Sequence, residues 1–349
     1  MIATCRVLVL LAGGLAAFGT GLAFGQAIDV GGRAFVDYYS VVSTPDAAQE
    51  DLSHPLSVAD TARDGLHGFT YRRLYLTTDF RLSRTLEGRA RLEANEGSSG
   101  PNGPMPFVKD LYVTWQYNGD HSATIGVTEP PVFEVSTDMW GYRSLEQTIL
   151  DRRGIASSRD FGLRLDGPLL AAGHVRYAVM YANNNSTNPE TDPYKRGYGR
   201  LSATPTDRLT LVAGADYTAH QDQREYSVRG SAFVGYEARR VRVGLEGYGR
   251  TTALTDTTTT DEFGASLFGV LQVARSWEVV GRLDWSTELR PQSGPASGLG
   301  FDPVESLLLA GVAYRPTPNV ALTPNVWIRN SNRFSESDTL LRLTLDLSF

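Results

Sequence analysis

Apolar and polar residues alternate with a period of two along most of the chain. In residues 340–349, Leu341, Leu343, Leu345, Leu347 and Phe349 are separated by polar residues. Residues 86–95 and 275–286 repeat this pattern, with one apolar face and one largely charged face. An amphipathic helix would instead space its apolar residues three and four positions apart. The pattern therefore predicts β-strands that lie between an apolar surrounding and water.

Sixteen such stretches follow one another, and the links between them are alternately short and long. Short periplasmic turns and long external loops are typical of bacterial outer-membrane barrels with an even number of strands. We therefore predict an all-β fold, a transmembrane antiparallel β-barrel of about 16 strands. The predicted strands span 28–42, 66–81, 85–96, 106–117, 121–128, 157–167, 172–183, 194–204, 207–219, 226–238, 240–253, 262–273, 276–288, 304–315, 319–331 and 339–349.

Aromatic residues occur near the ends of many predicted strands, on the apolar face. Aromatic girdles at the two membrane interfaces would produce this distribution, and so would the ordinary preference of aromatic residues for strands. Within the predicted loop 254–261, residues 256–261 with their run of threonines are predicted to be a solvated tip. The aromatic residues concerned are Trp115, Tyr117, Tyr181, Tyr217, Tyr226, Tyr236, Trp277, Trp285 and Tyr314.

The first 27 residues have the composition of a secretory signal peptide. Arg6 precedes an apolar segment, 7–24, and small residues follow it. An uncleaved anchor is the alternative, which the glycines of the segment disfavour. We predict a signal peptide over 1–27 and a barrel domain over 28–349. The only cysteine, Cys5, lies in the signal segment, so no disulfide or thiol chemistry is expected in the mature chain.

The charge balance and the histidine positions exclude several classes of function. A net charge of −6 disfavours a nucleic-acid partner, which would require a basic excess. The five histidines form no recognisable catalytic arrangement, so we expect neither an enzyme nor a bound cofactor or metal. Only two of the 33 basic residues are lysine, Lys109 and Lys195. This bias reflects either codon usage or a need for fixed, pre-organised charge.

The third long loop, 129–156, is the longest and contains many apolar and aromatic residues. Leu145, Ile149 and Leu150 are spaced as in a short helix. A loop of this length is uncommon unless it has a function. Loop three therefore either folds into the barrel and narrows it or covers the barrel from outside.

The segment from Trp140 to Ser144, continued by Ser157–Gly162 and Asp166-Gly167, resembles the phosphate-selective O and P type porins of Gram-negative outer membranes. The strand count and the long third loop resemble the general porins. These resemblances imply a homotrimer of water-filled channels with an inward-folded third loop at each constriction. Phe349, at the end of the last strand, resembles the signal read by the barrel-assembly machinery.

We predict that charges of the loop-three region face arginines of strands two and three across the lumen. From residue 129 to residue 160 the chain has four arginines and six acidic residues, so this region is net negative. Cross-strand ion pairing that stiffens the wall is the alternative role for most of these charges. The predicted constriction residues are Arg143, Arg152, Arg153, Arg159, Glu134 and Glu146 from the loop region and Arg73, Arg89 and Arg91 from the wall.

Together these features predict an outer-membrane porin, a passive water-filled diffusion channel for small hydrophilic solutes or ions, including anions such as phosphate. The alternative is a structural or adhesive barrel with a closed lumen, whose external loops bind a partner. A transporter for hydrophobic substrates is disfavoured, because strand one begins close to the predicted cleavage site and leaves no room for a plug.

Overall fold

The computed structural model describes residues 27–45, 64–96, 98–100, 103–170, 173–219, 226–255, 258–289, 303–331 and 336–349. The predicted signal peptide, 1–27, lies outside the described residues except for Ala27, which begins the first strand. Parts of several predicted loops lie outside them as well. None of the helices in the described ranges has the length and hydropathy needed to cross a membrane.

Sixteen strands form a closed antiparallel barrel, as predicted, and each of these sixteen overlaps one predicted strand. Two further strands, β4 and β5, pair only with each other in the loop after β3. The strands are β1 (Ala27–Ser43), β2 (His67–Arg81), β3 (Leu86–Asn95), β4 (Ser99–Gly100), β5 (Gly103–Pro104), β6 (Phe107–Asn118), β7 (His121–Thr128), β8 (Asp160–Pro168), β9 (Val175–Ala182), β10 (Arg196–Thr206), β11 (Leu209–Ala219), β12 (Tyr226–Ala238), β13 (Val241–Thr255), β14 (Thr258–Ala274), β15 (Trp277–Leu289), β16 (Pro303–Thr317), β17 (Val320–Asn330) and β18 (Asp338–Ser348).

Barrel strands that are consecutive in the chain pair with each other, and β1 pairs with β18 to close the barrel. At one end, the turns 119–120, 207–208, 239–240, 275–276 and 318–319 contain two residues each. The link from β7 to β8, at the other end, covers residues 129–159. The predicted loop 254–261 is too long, because β13 extends to Thr255, β14 already begins at Thr258, and Thr259 pairs with Ala253; residues 256 and 257 lie outside the described residues. Threonine is β-branched, so the run of threonines extends the ladder.

The outer surface of the barrel carries many exposed apolar side chains, as expected for contact with lipid. Eight of the nine aromatic residues predicted to face outward are exposed, and Tyr226 is partly buried. Trp277 and Tyr314 pair across β15 and β16 near the short turns, with ring centroids 4.7 Å apart. Tyr217 and Tyr226 stack at the opposite end. Aromatic side chains thus lie near both edges of the apolar surface.

Two β-bulges interrupt the alternation and place an extra basic residue inside the barrel. Between β1 and β2, Phe35 pairs with Arg73 and Val36 with Tyr71, so Arg72 is the additional residue. Between β3 and β6, Arg91 pairs with Asp110 and Leu92 with Val108, so Lys109 is additional. A bulge changes the direction of a side chain in this way. The sequence pattern shows both positions, because two consecutive polar residues interrupt the apolar series at each.

Loop three lies inside the barrel and includes two helices, α1 (Glu134–Trp140) and α2 (Ile149–Arg152). The predicted helix corresponds to α2, but Leu145 lies in a turn before it, and α1 was not predicted. Trp140, Tyr142 and Leu145 are almost fully buried. They pack against inward-facing apolar residues of β1 and of the wall β12–β18, namely Val41, Phe233, Phe268, Val270, Val280, Leu307, Leu309, Ala313, Trp327 and Leu340. Burial of this surface keeps the loop against one side of the lumen.

Candidate functional site

Arginines of the barrel wall hold the backbone of loop three. Arg342 of β18 donates to the Leu145 carbonyl over 2.9 Å. Arg282 of β15 donates to the Gln147 carbonyl and also forms a bidentate pair with Asp284 at 2.7 and 2.6 Å. Arg72, the bulge residue of β2, donates to the Ser144 carbonyl and to Asp37. A guanidinium has five donors in a rigid fork and can bind a carboxylate and a carbonyl together, which suits this role better than a lysine ammonium.

The predicted site residues Arg152 and Arg153 point from α2 into the wall. Arg152 contacts Glu305 of β16 and lies 3.4 Å from Asp284 of β15. Arg153 lies 3.2 Å from Glu305 and from Glu262 of β14. The two side chains thus fit between carboxylates of three strands, where they attach α2 to the barrel.

Two of the predicted acidic residues also connect the loop to the wall. Glu134 binds Arg164 at 2.7 Å and contacts Arg200. Glu146 accepts a hydrogen bond of 3.1 Å from the Trp327 indole. Burial acts to raise the pKa of Glu146, but neighbouring guanidiniums, those of Arg342, Arg152 and Arg282, bring this pKa below its ordinary value. Glu146 is therefore an ionised anchor of the loop.

A cavity of about 460 Å³ lies between loop three and the opposite wall, which β1, β2, β3 and β6 form. Four of the predicted residues line it: Arg89, Arg91, Arg143 and Arg159. Arg73 lies beside it, 3.4 Å from Glu93 and 3.0 Å from the Tyr75 hydroxyl. The charged residues that line the cavity are six basic ones, Arg33, Arg89, Arg91, Lys109, Arg143 and Arg159, and four acidic ones, Asp79, Glu129, Asp138 and Asp151.

Six charged residues of this cavity were not among the predicted site residues, namely Arg33, Asp79, Lys109, Glu129, Asp138 and Asp151. Arg33 forms a bidentate pair with Asp346 of β18 at 2.9 and 2.7 Å. Its inward direction follows from the apolar Ala34 and Val36, which alternate with it on the other face of β1, so the sequence contained this signal. Lys109 faces inward only because of the bulge, and it lies 3.0 Å from Glu93. Asp138 is on α1, a helix that the sequence pattern did not indicate.

Basic residues outnumber acidic ones by four to one on the wall side of the cavity, and acidic residues outnumber basic ones by three to two on the loop side. Arg33, Arg89 and Arg91 belong to β1 and β3, whereas Asp138 belongs to loop three. Asp138 is exposed, and no ion pair or hydrogen bond of its side chain occurs within the described residues. Although its side chain reaches solvent, the protein that surrounds it in the lumen partly desolvates the carboxylate and raises the pKa of Asp138.

Other charged side chains of loop three that line the cavity form ion pairs, which partly neutralise them. Arg143 lies 3.0 Å from Asp151, so both charges belong to one pair. Glu129 lies 3.4 Å from Arg159. Burial raises the pKa of Glu129, and the charge of Arg159 opposes this change. Asp138 is thus the loop carboxylate most available to a mobile ion.

No protein family model matches the sequence, and no curated protein matches it either. Solved structures match the whole fold. A loop L8 deletion mutant of OmpT, an outer membrane protein of Vibrio cholerae, has a TM-score of 0.65 and 11% identity, over 93% of this chain and 99% of that one. The outer membrane channel DcaP of Acinetobacter baumannii has a TM-score of 0.62 and 10% identity, over 95% and 99% of the two chains.

An anion-selective porin from Comamonas acidovorans is similar to the same degree. Its TM-score is 0.62 at 13% identity, over 93% of this chain and all of that one. At identities this low the likeness shows the fold alone. The chain thus has the sixteen-stranded barrel fold found in outer-membrane porins and channels.

Proposed function

We propose that this protein is an outer-membrane porin, a passive water-filled channel for small hydrophilic solutes and ions. The cavity between loop three and the β1–β3 wall carries the proposal, because it is polar, charged and bounded by rigidly held groups. A barrel whose exposed surface is apolar needs a lipid surrounding, and a charged lumen needs water. In this proposal the short turns face the periplasm and the long loops face the exterior.

The proposed filter has a modest preference for anions. Six basic and four acidic side chains line the cavity, and Asp138 is the carboxylate among them that has no side-chain partner within the described residues. Rings and patches of charge set ion preference in pores of this kind. The resemblance to phosphate-selective porins makes phosphate the first multivalent anion to test.

Loop three is proposed to be a fixed part of the channel. Arg72, Arg282 and Arg342 bind three of its carbonyl groups from different strands, and an apolar cluster fixes its other face. Such pre-organisation suits a static filter. We further propose a homotrimer, the arrangement described for one form of the Vibrio cholerae protein, and assembly through the last strand and Phe349.

Recording from the purified protein in planar bilayers tests the proposal. We expect the conductance to rise in steps. We also expect the reversal potential in a KCl gradient to indicate a mild preference for anions. A protein that inserts and yields no conductance steps would refute the channel function. Liposome swelling with sugars of increasing size distinguishes the alternative, because a closed barrel that binds partners through its loops shows no size-dependent uptake.

A further inference from the structure

A buried carboxyl group of the barrel wall contacts helix α1 of loop three. Glu246 lies on β13, and it is only 2% exposed, as is Ser136 of α1. Oε1 of Glu246 lies 2.5 Å from the hydroxyl oxygen of Ser136. Within the described residues, this is the only hydrogen bond of the Glu246 side chain. It joins α1 to the wall two positions before Asp138, the loop carboxylate of the central cavity.

The charged groups around Glu246 are already paired with one another or with other residues. These groups are Arg229 of β12 and Arg282 and Asp284 of β15. Arg282 binds both oxygens of Asp284, and Arg229 forms an ion pair with Asp216. Neither guanidinium forms an ion pair with Glu246 within the described residues.

The other elements that pack against Glu246 supply no cation either. Its neighbour on β14 is the uncharged Ser266, and the next inward-facing residue of β13 is Tyr248. The charged residues of α1 are both acidic, Glu134 and Asp138. Burial of an ionised carboxylate without a cation is costly, so these surroundings favour a neutral carboxyl group.

The hydrogen bonds at Ser136 also favour a proton on Glu246. The hydroxyl oxygen of Ser136 lies 3.0 Å from the Phe133 carbonyl oxygen as well, but a hydroxyl group has one hydrogen to donate. If Glu246 is ionised, both neighbours are acceptors, and Ser136 can serve only one of them fully. If Glu246 is neutral, its O–H donates to Ser136, and Ser136 donates to the Phe133 carbonyl. The chain of two hydrogen bonds is therefore complete only in the neutral state.

We propose that neutral Glu246 is a positioning residue of loop three, and that its ionisation releases α1 from the barrel wall. Ionisation removes one hydrogen bond and leaves a buried charge without a cation, and the charge becomes hydrated only if α1 moves. Asp138 moves with the helix. The proposal rests on the proposed channel function and adds a dependence on pH: loop three is fixed while Glu246 is neutral and becomes mobile in alkaline solution.

Single-channel recording from about pH 6 to about pH 9 tests this role, because ordinary tyrosine and lysine side chains titrate above this range. In the unmodified protein we expect the fraction of time spent in brief closures to rise about tenfold as the pH increases. A tenfold change corresponds to about 1.4 kcal/mol, the scale of one hydrogen bond.

Glu246→Gln should keep the low level of closures over the whole range, because glutamine retains a donor for Ser136 and cannot ionise. Glu237→Gln, the same substitution at an exposed position of β12, is the control and should retain the rise. A rise in Glu246→Gln as large as in the unmodified protein would overturn the proposal. Closures that do not depend on pH in the unmodified protein would overturn it as well.

Ser136→Ala provides a second test that does not change the carboxyl group. Without the hydroxyl, closures should already be frequent at about pH 6 and should not rise further, so a tenfold rise in this variant would contradict the proposal. Each variant is first checked for folding by the heat-dependent mobility of the barrel in electrophoresis. Conductance steps test the channel function separately: if they are absent, the channel function fails, and if they occur without these effects of pH, only the role of Glu246 fails.

Discussion

The ring of Phe349 lies directly over Gly32 on the outer face of the barrel. Their backbones exchange two hydrogen bonds, Gly32 N–H to the Phe349 carbonyl at 2.7 Å and Phe349 N–H to the Gly32 carbonyl at 3.0 Å. A Cβ on residue 32 would lie 2.3 Å from the Cζ atom of the ring. The last residue thus continues the β1–β18 pairing by one step beyond Arg33 and Ser348.

Substitution of Gly32 should therefore weaken barrel closure. In Gly32→Val the side chain displaces the exposed Phe349 ring, the free end of a side chain, so the cost should be at or below the lower end of the about 1–3 kcal/mol that overpacking costs in a core. We expect the folded, fast-migrating form of the barrel to disappear in electrophoresis after heating to a lower temperature than the unmodified protein requires. Gly230→Val is the matched control, because Gly230 faces outward on β12 with no heavy atom within 4 Å of its Cβ position. Equal destabilisation by the two variants would contradict this role of Gly32.

Removal of the Asp138 charge should increase the preference for anions. In Asp138→Asn the loop side of the cavity loses its unpartnered carboxylate. The interaction energy between a unit charge and a monovalent ion about 8 Å away is about 0.5 kcal/mol in water. The permeability of each ion should therefore change roughly twofold. Reversal potentials in a KCl gradient measure this change. Asp120→Asn, on an exposed turn, is the control and should leave the potential unchanged.

Arg91→Gln should shift selectivity in the opposite direction, toward cations, by a similar factor. Arg91 lines the cavity and lies 3.3 Å from Asp110. Asp110 retains Arg159 as a partner in this variant, so the wall should still fold. The same reversal-potential measurement applies, with Arg275→Gln on an exposed turn as the control. A shift toward anions would show that Arg91 does not act on permeating ions.

Acidification should increase anion preference in the unmodified protein. Burial raises the pKa of both Asp138 and Glu129, so these carboxylates take up protons at a higher pH than ordinary ones as the pH falls. Protonation removes negative charge from the cavity while the arginines stay charged. The reversal potential should therefore indicate a stronger anion preference as the pH is lowered from neutral to about 4. The ordinary pKa values of carboxyl groups lie at the lower end of this range. Asp138→Asn should show a smaller change over the same range.

Loss of one carbonyl anchor should make loop three more mobile. A lysine at position 282 cannot bind both oxygens of Asp284 and the Gln147 carbonyl as Arg282 does. We expect Arg282→Lys to increase open-channel current noise and brief closures. Arg33→Lys removes a similar bidentate pair, with Asp346, from a part of the wall that does not hold the loop. If the current noise of Arg33→Lys rises as much as that of Arg282→Lys, the hydrogen bonds from arginines to the loop carbonyl groups do not limit the motion of loop three.

The sequence by itself determined the strands, their order and most inward and outward directions. Each strand lies between an apolar surrounding and water. Successive residues therefore alternate between apolar and polar, and this alternation is visible in the sequence, as in 339–349. The same local alternation indicates the inward direction of Arg33 and Arg89. The two bulges were also present in the pattern, as consecutive polar residues at Arg72-Arg73 and Lys109-Asp110, although strict alternation did not predict them.

Only the tertiary structure decided where loop three lies and which of its charges meet the cavity. Arg152 binds Glu305, and Arg342 binds the Leu145 carbonyl, across 153 and 197 positions of the chain. Such partners come together only when the barrel closes and an apolar loop finds the apolar part of its wall. Arg152 and Asp138 are both charged residues of one loop, and the sequence does not distinguish them. Packing of α2 against β14 directs Arg152 into the wall, and packing of α1 against β12–β14 leaves Asp138 exposed in the lumen.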